Sequence, residues 1–457
     1  MDRRDFLKAL GAVTGGLVVQ QSVGLKALGA TLTGLPDTTG ASRLSKLGGS
    51  LFVVHSDLHN HSLISGDAEG EPHAALGNIK ARGIDVACMT EHAVSGKDHG
   101  QYTCPTWQDG GCRFAEGINA NDWATMAQIA DEGYEPGTFV SFRGFEYSTP
   151  TIGHINVWFG QDFTDPAHEE ALATPRAVSE MWRVFGPQTK PVADQFQNAP
   201  DIAQITPFYE WLTSAPGTFP LGGGNDAIAG FNHPGYFGNF QDFLFHAGAA
   251  KYMTLIEAFN PINSDADYFW YGADRGIPNP FNACFNAGWR VGFTGVSDEH
   301  SGVYGQPNKG RGGLWVSSLT RDGVRAAMAS KRTFATLEPA LRLDATADDV
   351  PMGSSMPAPS KPMTILLDIA RDSAWVGKDL IVEVVGPGPT GGPPNLIDLV
   401  PIKVPSDRQP PVKLKVQPEG AWLFLRIVDP ERPNHVLAKA PFNNGGAFAY
   451  ASPWFFD

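Results

Sequence analysis

Seven short apolar runs recur between residues 51 and 300, and they constrain the fold more than any other feature of this 457-residue chain. Helical or loop segments separate the runs, and alternation of this kind predicts a β/α architecture with buried parallel strands. Nearly every run is followed at once by His, Asp, Glu or Asn, and the carboxyl ends of barrel strands converge on one face. We therefore expect these polar clusters to meet in space. The runs are 51–54, 84–89, 139–142, 155–159, 227–231, 254–259 and 291–294.

The polar clusters contain residue types that bind metal ions. His59 and His61 are two residues apart after the first run, so on an extended chain both imidazoles point to one side and can reach one metal. Asp298 and His300 share a face for the same reason. Imidazole and carboxylate ligands suit Zn, Mn or Fe. Residues of these types in or near the other clusters are Asp67, His92, Glu146, His154 and His233, and His168 lies in the same interval as His154.

The order of these motifs resembles the polymerase and histidinol phosphatase (PHP) superfamily of metallohydrolases over roughly residues 51–302. The family has HxH, a TEH-like motif, a central Glu and His, a later His-Pro and a terminal DxH. Within that superfamily the sequence is most similar to the branch that includes carbaryl hydrolase, because the barrel is followed by the segment Ser-Lys-Arg-Thr-Phe-Ala-Thr at 330–336. The resemblance implies a distorted (β/α)7 barrel that holds two or three divalent metal ions.

The resemblance also implies how the ligands are divided among the ions. A first ion would take His59, His61, Glu146 and Asp298, and a second would share Glu146 and add His154 and His233. A third would use Asp67, His92 and His300, although two occupied sites are the alternative because family members often have histidine where Asp67 stands. Glu91 is expected to orient a ligand instead of binding an ion.

Divalent ions in such a site activate water and polarise the substrate oxygen, so we expect a hydrolase. The resemblance favours phosphomonoesters or phosphodiesters as substrates. Hydrolysis of a carbamate or carboxylic ester is one alternative, and a non-catalytic periplasmic metal- or ligand-binding protein is another. Asp298 is the candidate proton acceptor, and the candidate contacts to a small-molecule ester are Lys97, Tyr236, Lys309 and Arg311.

The N-terminal segment predicts export. Residues 1–30 begin with an Arg-Arg pair and continue into a glycine-rich apolar run, which resembles a twin-arginine signal peptide. We therefore expect a periplasmic or secreted protein that meets the twin-arginine machinery and has no stable membrane anchor. The net charge of −14 argues against a nucleic-acid partner. An oxidising compartment favours a disulfide between Cys104 and Cys112, whereas Cys88 and Cys284 are expected to be small buried hydrophobes.

The chain divides into regions of different pattern. Residues 31–50 are expected to be a linker, and residues 51–339 the barrel, with insertions at 93–137 and 160–226 that act as lids. Residues 340–457 alternate in short strands between Pro/Gly-rich turns, a pattern that predicts a small β-sandwich. No chemistry is assigned to this C-terminal part, and the oligomeric state stays open.

Overall fold

The computed structural model describes residues 42–65, 68–93, 118, 120–149, 152–165, 204–217, 222–261 and 267–457. The predicted signal peptide at 1–30 lies outside the described residues, as do Asp67, Lys97, His168 and the cysteine pair Cys104 and Cys112.

Seven strands of the N-terminal region lie side by side in one sheet. They are β1 (Phe52–Asp57), β2 (Val86–Met89), β4 (Val140–Thr149), β5 (Gly153–Trp158), β6 (Ile228–Phe231), β7 (Met253–Phe259) and β8 (Gly292–Gly295), with the short β3 (His92–Ala93) paired to β4. All run parallel except β5, which is antiparallel to β4 and to β6. The start of β5 therefore lies at the edge where the other strands end.

Helices are few in the described part of the chain. They are α1 (Pro72–Ala81), α2 (Ala120–Glu132), α3 (Ile205–Thr213), α4 (Pro280–Asn286) and α5 (Arg321–Ser330), with 3₁₀ turns at Tyr268–Trp270 and Ser373–Trp375 and a left-handed helical turn at Phe240–Phe243. The Thr320 side chain accepts from the amide of Gly323 and so caps the start of α5. No helix among these residues is long and apolar enough to cross a membrane.

The structure confirms a mixed α/β protein but does not establish a closed barrel. In the described part of the chain, no hydrogen-bonded ladder joins β8 to β1. Instead β8 contacts later strands through side chains. The Thr333 hydroxyl donates to the carbonyl of Phe293 (2.8 Å), and the amide of Phe293 donates to the Ser452 hydroxyl (2.9 Å).

The C-terminal strands form two layers. The first layer extends the main sheet from β1 through β9 (Arg311–Val316), β10 (Thr333–Thr336), β19 (Gly446–Phe456), β18 (Trp422–Asp429), β15 (Asp379–Gly386) and β16 (Asn395–Lys403), with β13 (Ser355–Met356) beside β19. The second is a separate sheet of β12 (Val350–Pro351), β11 (Arg342–Ala347), β14 (Met363–Ala370) and β17 (Val412–Val416). Both layers contribute to one apolar core, in which Trp315 and Phe334 pack with Ile365 and Leu425.

The continuity of the first layer depends on one strand. Strand β10 pairs antiparallel with both β9 and β19, so the sheet that carries the candidate ligands and the C-terminal strands form a single 15-stranded sheet.

The two cysteines among the described residues, Cys88 and Cys284, are buried and reduced, as expected for small hydrophobes.

His55 on β1 is a buried histidine that is not among the predicted metal ligands. Its side chain is 2% exposed, and among the described residues its Nδ1 has no hydrogen-bond partner. Burial, together with the charges of Arg43 and Arg311, lowers the pKa of His55 to about 3. The folded state therefore holds this imidazole neutral, whereas an unfolded histidine titrates near 6.5.

This shift predicts a loss of stability in acid. Because the unfolded chain binds a proton that folded His55 does not, the free energy of unfolding falls as the pH drops from about 6.5 towards 3. At pH 5 the expected loss from this residue is about 2 kcal/mol. The variant His55→Gln cannot titrate, so its stability should fall by about 2 kcal/mol less than wild type between pH 7 and pH 5. Urea unfolding of both proteins at the two pH values measures this difference, and equal losses would contradict it.

Candidate metal centre

Six histidines and two carboxylates converge at one edge of the main sheet. They come from the residues after β1, β6 and β8, from β3 and β4, and from the start of β5. Seven of the eight are at most 4% exposed, whereas the side chain of His300 is 25% exposed. Access from solvent is therefore from the side of His300. The cluster consists of His59, His61, His92, Glu146, His154, His233, Asp298 and His300.

Glu146 lies at the centre of this cluster. Its Oε1 is 3.1 Å from His59 Nε2, 3.1 Å from His154 Nδ1 and 3.2 Å from His233 Nε2. Its Oε2 is 2.7 Å from His92 Nδ1. Burial alone would raise the pKa of Glu146, but His154, His59 and His92 hold it well below its usual value. Glu146 is therefore an ionised carboxylate with histidine nitrogens on both oxygens.

Asp298 is the second ionised carboxylate. Burial opposes its charge, yet His59, His61 and His300 hold the pKa of Asp298 well below its usual range. Its Oδ1 is 3.4 Å from nitrogens of these three histidines and accepts no hydrogen bond from the described residues. Its Oδ2 accepts from the Asn260 amide at 3.0 Å. A charged oxygen that is buried without a donor suits a metal cation.

His59 and His61 provide a direct test of whether a cation fits. A carboxylate oxygen accepts hydrogen bonds, so His59 Nδ1, 2.7 Å from Glu257 Oε1, is the donor. The Ser65 hydroxyl donates to Glu91 (2.5 Å) and therefore accepts from His61 Nδ1 at 3.0 Å. The two Nε2 atoms face each other 3.0 Å apart. In the neutral tautomers both Nε2 atoms present lone pairs. Two histidine nitrogens that bind the same ion, each about 2.1 Å from it, are arranged in this way.

The protonation states agree with this interpretation. Burial, with His92 and His300 nearby, lowers the pKa of His61 to about 3, and burial lowers that of His154 to about 4. Both imidazoles are therefore neutral, as metal ligands must be. Burial opposes a charge on His59 as well, but Asp298, Glu146 and Glu257 raise its pKa well above the ordinary value. The cluster thus stabilises one positive charge at His59 Nε2, where a metal cation would supply it.

The grouping of the ligands differs in part from the implied division. His59, His61 and Asp298 form one group of mutually close ligand atoms, which contains three of the four ligands implied for the first ion but not Glu146. His154 and His233 do not share a group, because His154 joins His92 and Glu146 whereas His233 joins His59 and Glu146. A fourth group combines His61 with His92 and His300. Asp67, the remaining predicted ligand, lies outside the described residues.

Glu257 on β7 is a site residue that the motif analysis missed. Its Oε1 contacts His59 Nδ1 (2.7 Å), and its Oε2 accepts from the backbone amide of His233 (2.7 Å) and from Asn260 (2.8 Å). One carboxylate thus orients two ligands. The signal in the sequence was a single acid within the apolar run Met-Thr-Leu-Ile-Glu-Ala-Phe, because a buried carboxylate needs a partner.

Other polar residues hold the ligands in place. Glu91 accepts from Ser62 and Ser65, and Ser65 contacts His61, so hydrogen bonds link Glu91 to His61. Asn232 donates to Glu146 Oε1 at 2.8 Å. Burial raises the pKa of Glu91, and the hydrogen bonds from Ser62 and Ser65 oppose that rise.

Two cluster residues have backbone angles that side chains rarely adopt. The φ of His233 is 23° and that of Asp298 is 49°. Residues in this region carry strain of about 1–3 kcal/mol and persist where the surrounding structure holds them. Such positions concentrate at functional sites, which agrees with the site described above.

The predicted substrate contacts occupy different environments. Tyr236 is 37% exposed, and its ring centroid is 5.9 Å from that of His233, so it borders the cluster. Lys309 is half-buried in the turn 306–309. Arg311 does not reach the rim, because it is 3% exposed, donates to the carbonyl of Gly305 and interacts electrostatically with Asp57 and Asp85. Lys97 lies outside the described residues.

Comparison with known proteins gives distant likenesses. A family model described as a protein of unknown function, DUF3604, matches residues 80–192. No curated protein matches the chain. A two-domain protein from Bacteroides vulgatus containing a predicted PHP-like metal-dependent phosphoesterase is 15% identical, with a TM-score of 0.38, over 91% of this chain and 100% of that chain. An amidohydrolase from Chromobacterium violaceum, with bound sulfate and no metal, is 15% identical, with a TM-score of 0.24, over 54% of this chain and 87% of that chain.

Proposed function

We propose that this protein is a metal-dependent hydrolase that holds two or three divalent ions of Zn, Mn or Fe. The observation that carries the proposal is the contact of both Glu146 oxygens with histidine nitrogens at 2.7–3.2 Å inside a buried cluster. The ligands would be His59, His61, His92, Glu146, His154, His233, Asp298 and His300.

Divalent ions in such a site lower the pKa of water and polarise the oxygen of the substrate. The chain's own residues would position these reactants. Asn232 orients Glu146, and Glu257 orients His59 and the backbone of His233. Asp298 is the proposed proton acceptor, because it is ionised and lies beside His300, the one cluster residue that is substantially exposed.

The substrate class that we propose is a phosphoester, either a monoester or a diester. Bound divalent ions would make this acidic pocket locally positive, so a small anion is compatible with a net charge of −14. A carbamate or carboxylic ester is the alternative substrate. We also propose that residues 1–30 direct the protein through the twin-arginine pathway to the periplasm or the medium.

A panel of substrates tests the proposal. Protein loaded with Mn or Zn should hydrolyse p-nitrophenyl phosphate or bis-p-nitrophenyl phosphate, and chelation should abolish this activity reversibly. Asp298→Asn should lower kcat by about 10²–10⁴-fold, the range typical of a lost proton acceptor. Asp379→Asn is a matched control, because Asp379 is 73% exposed and pairs with Lys403 on the surface.

The outcomes separate the alternatives. Turnover of aryl carbamates or carboxylic esters without phosphoesters would replace the substrate class. Full metal content with no turnover of any ester would contradict hydrolysis and indicate a binding protein.

A further inference from the structure

Strand β7 carries two polar side chains that border the metal centre. Glu257 lies on the strand, Asn260 follows its last residue directly, and both are at most 2% exposed. In the main sheet β7 lies between β6 and β8, the strands that precede His233 and Asp298. Among the described residues, Glu257 belongs to no group of mutually close ligand atoms. The pair is therefore placed to position ligands from both neighbouring strands.

Asn260 connects Glu257 to Asp298. Its Nδ2 donates to Glu257 Oε2 at 2.8 Å and to Asp298 Oδ2 at 3.0 Å. A side-chain amide nitrogen has two hydrogens and carboxylate oxygens accept hydrogen bonds, so both donors are used. Turning the amide over would place its own oxygen against two carboxylate oxygens, which are also acceptors. The orientation of the Asn260 amide is therefore fixed by its two partners.

Asn260 makes the two oxygens of Asp298 unequal. Oδ2 accepts the hydrogen bond from Asn260. Oδ1 accepts no hydrogen bond from the described residues and is 3.4 Å from nitrogens of three candidate ligands, which are His59, His61 and His300. A turn of the carboxylate about its Cβ–Cγ bond would break the bond from Asn260 and leave a buried amide hydrogen without its partner, which is unfavourable. Asn260 thus keeps Oδ1 directed at the other candidate ligands.

The same hydrogen bonds reach His59 and His233. Glu257 Oε1 accepts from His59 Nδ1 at 2.7 Å, and its Oε2 accepts from the backbone amide of His233 at 2.7 Å. The backbone amide of Asp298 donates to the carbonyl of His59 at 3.0 Å. A closed ring of hydrogen bonds results, which runs through His59, Glu257, Asn260 and Asp298. A change at Asn260 therefore acts on candidate ligands that follow β1, β6 and β8.

We propose that Asn260 is a positioning residue, which directs Oδ1 of Asp298 to the metal ion by holding Oδ2. The inference rests on the proposed function, because it concerns an ion bound by His59, His61 and Asp298. Asn260 itself supplies no ligand atom to this ion and acts through Asp298 and Glu257. Without Asn260 the carboxylate of Asp298 can turn, so the affinity for the ion falls although every candidate ligand is still present.

Zinc titration of the full chain tests this role. Asn260→Leu keeps a side chain of similar size but donates no hydrogen bond, and it should lower the affinity for Zn about 10–100-fold. Competition with a chelator of known affinity measures this loss. Asn282→Leu is the matched control, because Asn282 on α4 is 1% exposed and its Nδ2 also donates twice, to the carbonyls of Pro389 and Gly392. It should lower stability in urea and leave the Zn affinity unchanged.

The Asp298→Asn background separates positioning from packing. In that variant Asn260 would hold the new amide oxygen at the Oδ2 position and turn the new NH2 group towards the ion. Adding Asn260→Leu lets this amide reverse and present its oxygen to the ion. Asn260→Leu should therefore cost at least about fivefold less Zn affinity in this background than in the wild type. A packing role predicts equal losses, because the change in shape at residue 260 is the same. If Asn260→Leu does not fold, Asn260→Ala takes its place in the same cycle.

A cobalt-loaded sample gives a second measurement, which decides if Asp298→Asn binds no Zn. Once Asn260 is removed, Asp298 can bind through both oxygens, so the coordination number should rise and the visible absorption of cobalt should weaken, whereas Asn282→Leu should keep the wild-type spectrum.

The outcomes are distinct. A wild-type Zn affinity or cobalt spectrum in Asn260→Leu, or losses in the two backgrounds that differ by less than about fivefold, would overturn the role of Asn260. Wild-type protein that binds no Zn would contradict the proposed function and this role together. Zn binding without ester hydrolysis would contradict hydrolysis alone, because the titrations need no turnover.

Discussion

Replacing Glu146 with Gln is expected to empty the metal centre. The two oxygens of Glu146 contact four histidines, so the variant loses the charge that compensates them. Metal affinity should fall by more than the 10–100-fold that is typical when a residue hydrogen-bonded to a metal ligand is replaced. The rate of hydrolysis should fall by at least about 10³-fold. The amide has nearly the same size as the carboxylate, so the fold should persist. Metal analysis after dialysis against a chelator of known affinity, with far-UV circular dichroism, measures both properties.

Glu257→Gln provides a graded comparison. Glu257 contacts His59 and the backbone of His233 without belonging to any group of mutually close ligand atoms among the described residues. Its loss should therefore cost about 10–100-fold in metal affinity, less than that of Glu146→Gln. Glu431→Gln is the control, because the Glu431 side chain is 86% exposed. Equal losses for Glu146→Gln and Glu257→Gln would contradict the distinction between a ligand and its support.

Replacing Arg426 with Met is expected to destabilise the fold by about 3–5 kcal/mol. Arg426 and Glu383 are at most 1% exposed and are 2.5 Å apart, so the variant leaves a buried carboxylate without its cation. Asp267, whose Oδ2 lies 3.6 Å from Arg426 Nη2, also loses a partner. Urea unfolding measures the loss directly. It should greatly exceed that of Lys403→Met, which removes one partner of an exposed pair worth about 0–1 kcal/mol.

A double variant tests the origin of this loss. In Arg426→Met with Glu383→Leu, apolar residues replace both charges, so much of the stability should return. If the double variant is as unstable as Arg426→Met alone, the loss comes from packing and not from an unpaired charge.

The sequence was most informative where local geometry decides the outcome. The two-residue spacing of His59 and His61 requires only that side chains alternate along an extended chain, and both imidazoles do reach the cluster. Strand periodicity located several elements closely, among them β6, expected at 227–231 and observed at Ile228–Phe231, and β7, expected at 254–259 and observed at Met253–Phe259. Strand ends predicted the common edge, because parallel strands bring their carboxyl ends together.

Other features depend on long-range contacts. Glu146 was expected at the end of a strand, but β4 continues through it to Thr149 because β5 returns antiparallel beside it. Arg311 follows a glycine-rich turn near the site in sequence, yet it is the first residue of β9 and is buried. Spacing along the chain gives no information on which side chain meets which across a sheet.

The sequence by itself determined a mixed α/β chain and the residue types of the candidate metal centre, because these follow from hydrophobic periodicity and ligand chemistry. Only the tertiary structure decided three further features. They are the support of two ligands by Glu257, the joining of β10 to β19 into one sheet and a cavity of about 710 Å³ that Trp270 and residues 391–396 line together. Each of these features brings together residues that are far apart in the chain. Such contacts are decided by how the whole core packs, and no local pattern encodes them.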